Sequence, residues 1–134
     1  MTSEHETATI ARLTAAFARR TGLSPAADNP QRYLWTDAFA VCNFLELFAR
    51  TLDGKFCLTA TALIDQVHQV LGRFRYDDGH TGWISGLDEN KGRRHPTLGG
   101  LRIGKPLKER GADEVIDEQL EWDRDGQYFY YLIK

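Results

Sequence analysis

A chain of 134 residues can bury one core of ordinary size but not two, so a single α-helical domain covering residues 1–134 is expected. Its 17 basic and 19 acidic side chains are interspersed rather than blocked, which leaves no basic stripe to neutralise a phosphate backbone and argues against a nucleic-acid partner. No apolar run reaches the roughly 20 residues that span a bilayer, and Met1 to Glu6 lacks the basic, apolar, small-residue order of a secretory signal, so no membrane partner and a cytoplasmic location are expected.

The first element is announced by Ser3 and Glu6, whose S-x-x-E spacing lets each side chain satisfy an orphan backbone donor at a helix start. Ile10, Leu13 and Phe17 recur at helical spacing, and Gly22 can take the left-handed conformation that ends a helix, so the first helix should run from Glu4 to Thr21. A loop through Pro25 and Asp28-Asn29-Pro30 leads into residues 32–52, RYLWTDAFAVCNFLELFARTL, the most continuously apolar stretch of the chain. Between Ala38 and Leu52 its polar residues are Asn43, Glu46, Arg50 and Thr51, the first three of which share one narrow stripe of a helix. Apolar surface on every other side predicts a central helix over residues 37–52, covered nearly all round, with Phe39, Cys42, Leu45 and Phe48 buried. Ala60, Leu63, Ile64, Val67, Val70, Leu71 and Phe74 keep the helical period after a Thr59 cap. A third helix over 60–73 should therefore pair with the second as an antiparallel hairpin. Cys42 and Cys57 are too few for a disulfide framework and no Cys/His cluster has ligand spacing, so both read as reduced core thiols and neither metal nor cofactor is expected.

Beyond Phe74 the composition changes: ten of the 12 glycines lie between Gly72 and Gly126. Residues 73–76 and 82–85 can pair as a small β-hairpin about Asp78-Gly79 with Trp83 beneath it, and 87–120 reads as a long glycine-rich loop laid on the helices. Asp123 or Asp125 looks like the cap of a last helix beginning at Gln127. Its apolar run Phe129-Tyr130-Tyr131-Leu132-Ile133 meets the end of the chain, as in the N-terminal part of a longer protein. The expected class is mainly α, built from antiparallel helix hairpins.

Three sets of residues invite a chemical reading. Residues 99–105, GGLRIGK, fit the spacing of a phosphate-binding loop, but Pro106 stands where a magnesium-binding hydroxyl belongs and no apolar strand precedes, so nucleotide binding is not expected. His5, His68, His80 and His95 are scattered without the pairing of a zinc site; His95, in the glycine-rich loop, is a candidate ligand contact. Trp35-Thr36-Asp37 and Trp122-Asp123-Arg124-Asp125 each put an indole and a carboxylate at a helix entrance. Asp is strongly preferred at such ends for capping alone. If hairpins repeat around a ring, however, alternate helices start at the same end and these groups gather at one mouth. There indoles can stack on sugars, and paired carboxylates are what glycoside chemistry requires.

The tracts RYLWTDAFAVCNFLELF, YDDGHTGWISGLDENKGRRHPTLGGLRIGKP and EQLEWDRDGQYFYYLIK resemble the N-terminal region of uncharacterised bacterial proteins of the six-hairpin glycosidase-like class, most of the chain after Gly22 being covered. The resemblance implies a partial (α/α)6 toroid, related to glycoside hydrolases and sugar epimerases, whose sites lie at the mouth of the ring. On that reading Asp37, Asp123 and Asp125 are candidate catalytic acids. Trp35 and Trp122 are stacking platforms, and His95, Arg102 and Arg124 are polar contacts to a carbohydrate. The fragment alone is expected to be inactive, its other partner being the rest of the toroid. The alternative is a non-catalytic helical module that docks on a partner helix through its apolar C-terminal segment.

Overall fold

The computed structural model describes residues 3–104 and the backbone of 128–129. Over these the protein is mainly helical: α1 (Glu4–Thr21), α2 (Leu34–Thr51) and α3 (Gly54–Leu71), each of 18 residues, are arranged as antiparallel hairpins. A short helix α4 (Glu89–Arg94) and strands β1 (Leu101–Arg102) and β2 (Tyr128–Phe129) follow. The chain forms two compact units, one of Met1–Gln31 with Trp35–Gln66 and the other of Arg32–Leu34 with Val67–Lys134. Among the described residues no helix is long and apolar enough to cross a membrane.

In the first unit α1 has the expected bounds, and both ends show why. Ser3 Oγ accepts from the Glu6 amide at 3.2 Å while Glu6 Oε2 accepts from the Ser3 amide at 3.1 Å, and Gly22 closes the helix at φ 78°. The buried Thr14 hydroxyl donates to the Ile10 and Ala11 carbonyls, so it enters the core without an unmet polar group. Ala18, Ala40, Phe44, Leu47, Ala60 and Leu63 supply the apolar core. Gln66 Nε2 donates to the Gly22 carbonyl at 3.0 Å and ties α3 to the end of α1.

The helix boundaries of the hairpin differ from expectation. The third helix begins at Gly54 rather than at 60: Asp53 Oδ1 accepts from the Lys55 amide at 3.1 Å and is the effective cap. Thr59 instead donates its hydroxyl to the Lys55 carbonyl from within the helix. Only Leu52 and Asp53 join α2 to α3, and Leu52 makes the reversal at φ 57° with its amide donating to the Phe48 carbonyl. At the other end α2 begins at Leu34, so Trp35 and Asp37 lie inside its first turn.

A second correction concerns which side of α2 is covered. Asp37, Ala40, Phe44 and Leu47 are buried, whereas Phe39 is 73% and Leu45 46% exposed, Cys42 is exposed and Phe48 is half-buried. The inner stripe recurs every three or four residues as a helix facing one core must. The apolar residues on the far side have no cover within the unit.

In the second unit the expected hairpin appears as an antiparallel bridge between Arg73 and Trp83, with Phe74 N–H donating to the Gly82 carbonyl and Ile84 N–H to the Gly72 carbonyl. Trp83 is buried and lies directly on Gly92 in α4, where any Cβ would run into the indole. The presumed loop over 87–120 thus contains a capped helical turn, Asp88 Oδ1 accepting from the Lys91 amide at 2.9 Å, and β1. The C-terminal helix expected from Gln127 is corrected where it is described. Tyr128–Phe129 is a strand, antiparallel to β1 with Leu101 opposite Phe129 and Arg102 opposite Tyr128. An aromatic run suits a pleated pairing as well as a helix, and β1 offers the edge that decides it.

Candidate functional site

The residues singled out from sequence fall in different places. In the first unit Asp37 is 1% exposed, in the first turn of α2 where the positive end of the helix dipole favours a carboxylate, and Trp35 is 43% exposed. In the second unit His95 is exposed at the C-terminal end of α4, its amide donating to the Lys91 and Gly92 carbonyls. Arg102 is buried, and its guanidinium donates to the Arg73 carbonyl at 2.6 Å and the Val70 carbonyl at 2.8 Å, a cation closing the C-terminal end of α3. Trp122, Asp123, Arg124 and Asp125 lie outside the described residues, as do Lys105 and Pro106. The described part of GGLRIGK supplies β1 and a turn at Gly104, φ 80°.

The tightest polar cluster was not anticipated. Glu89 accepts from Arg73 through both carboxylate oxygens at 2.9 and 2.6 Å, from Arg93 at 3.1 Å and from the Trp83 indole at 3.2 Å. The Arg73 guanidinium lies 4.0 Å from the Trp83 ring centre. Hydrogen bonds from Arg73, then from Arg93, hold the Glu89 carboxyl down at about 2. The Arg73, Arg93 and Trp83 donors that converge on Glu89 tie α4 to the Arg73–Trp83 bridge. Its chemistry is that of a clamp. At the hairpin tip Asp78 Oδ1 accepts from the His80 amide at 2.8 Å and lies 2.9 Å from His80 Nδ1, and the His80 ring stacks on Phe74 at 5.0 Å. No three His, Cys, Asp or Glu side chains among the described residues are grouped to hold a metal ion.

What the first unit does present is an apolar surface. Trp35, Ala38, Phe39, Cys42, Leu45 and Ala49 are all exposed on α2, and Leu52 follows at 78% exposure. A continuous apolar side of a helix, large at Trp35 and Leu45 and small at Ala38, Cys42 and Ala49, differs from the singly scattered apolar residues that any surface carries. The signal was present in the spacing. Ala40, Phe44 and Leu47 make one helical stripe, Trp35, Ala38, Cys42, Leu45 and Ala49 another on a separate side, and one core can cover only the first. Treating both as core hid the surface.

Comparison with protein-family models, with curated proteins and with solved structures finds no match to this chain.

Proposed function

We propose that this chain is a helix-packing module, whose α2 offers its exposed apolar face to a helix outside its own unit. The observation that carries it is the line of exposed Trp35, Ala38, Cys42, Leu45 and Ala49 along α2, on the side away from its buried Ala40, Phe44 and Leu47. Burying a large apolar side chain is worth about 1.5–3 kcal/mol, so a face of this kind left in water forgoes several such contributions. A hairpin inside a ring of hairpins would show such a flank, which also accords with the (α/α) arrangement implied by the resemblance.

Cys42, in the middle of the face, provides the test. In cells making the protein, a permeant maleimide should label Cys42 at least about tenfold more slowly than in the unfolded chain, because a packed helix excludes the reagent. Labelling at the unfolded rate would show the face to be open and the proposal wrong.

The second reading is that the whole protein acts on a carbohydrate. Its support in the described residues is Trp35, an indole exposed at a helix entrance, which is a platform for a sugar face. Titration of the full protein with oligosaccharides should then quench tryptophan fluorescence in wild type and less in Trp35→Phe. Asp123→Asn and Asp125→Asn should each weaken turnover with little loss of fold. Equal quenching together with unchanged turnover would remove this reading.

A further inference from the structure

We draw no further inference here: the strongest candidate, the exposed apolar side of α2 through Trp35, Ala38, Cys42, Leu45 and Ala49, belongs to the surface already described, and nothing in the structure shows what covers it.

Discussion

At Glu89 one carboxylate holds two guanidinium groups and an indole, and its protonation state is tied to folding. Its pKa is lowered from the ordinary 4.5 to about 2, chiefly by Arg73, so the folded state binds this proton less readily than the unfolded chain. The stabilisation is fully present above the unfolded value and is lost as pH falls from about 4.5 through about 2. Glu89→Gln should therefore lower the denaturation midpoint at pH 7, and the gap from wild type should close as the pH is taken down to about 2. A gap of constant size would show that the carboxylate's charge is not what matters. Gly92 makes a second residue-scale case. In a helix Ala normally outranks Gly by about 1 kcal/mol, yet here a Cβ would run into the Trp83 indole. Gly92→Ala should destabilise by about 1–3 kcal/mol in chemical denaturation, because the buried indole has to shift. A stabilised variant would mean that the indole does not rest on this glycine.

At the scale of the helix, α2 carries two phenylalanines of opposite fate. Phe44 is buried in the first unit and Phe39 is in solvent. Phe44→Ala should cost about 3–5 kcal/mol in denaturant unfolding of dilute protein, and Phe39→Ala within about 0.5 kcal/mol, since truncation opens a cavity in one place only. Equal costs would return α2 to the centre of the fold. Much of the helical layout was legible from local chemistry. Ser3, Glu6 and Gly22 write both ends of α1 through backbone groups within a few residues, and the periodic Ala60, Leu63 and Val67 mark α3. What was illegible depended on distant neighbours. Whether Phe39 or Phe44 is covered is decided by where α1 and α3 pack, and apolar character alone does not carry that. Tyr128–Phe129 became a strand because β1 lies beside it, and Arg102, read as a ligand contact, donates to carbonyls at the end of α3. The site was less legible than the fold: the Trp-Asp pattern at Trp35 and Asp37 looked like one feature, yet the first turn of α2 turns Asp37 inward and leaves Trp35 outside.

For the whole molecule the central claim is that α2 has one face for its own core and another for an external helix. The measurement that tests it most directly is thermal unfolding by circular dichroism of the double variant Ala38→Glu/Leu45→Glu at low micromolar concentration. Two charges on a face that meets only water in the dilute chain should leave helical content unchanged and cooperative unfolding within about 1 kcal/mol of wild type. Loss of the cooperative transition, as expected when unpaired carboxylates are forced into a packed interior, would show that the face belongs to the protein's own core and would contradict the account.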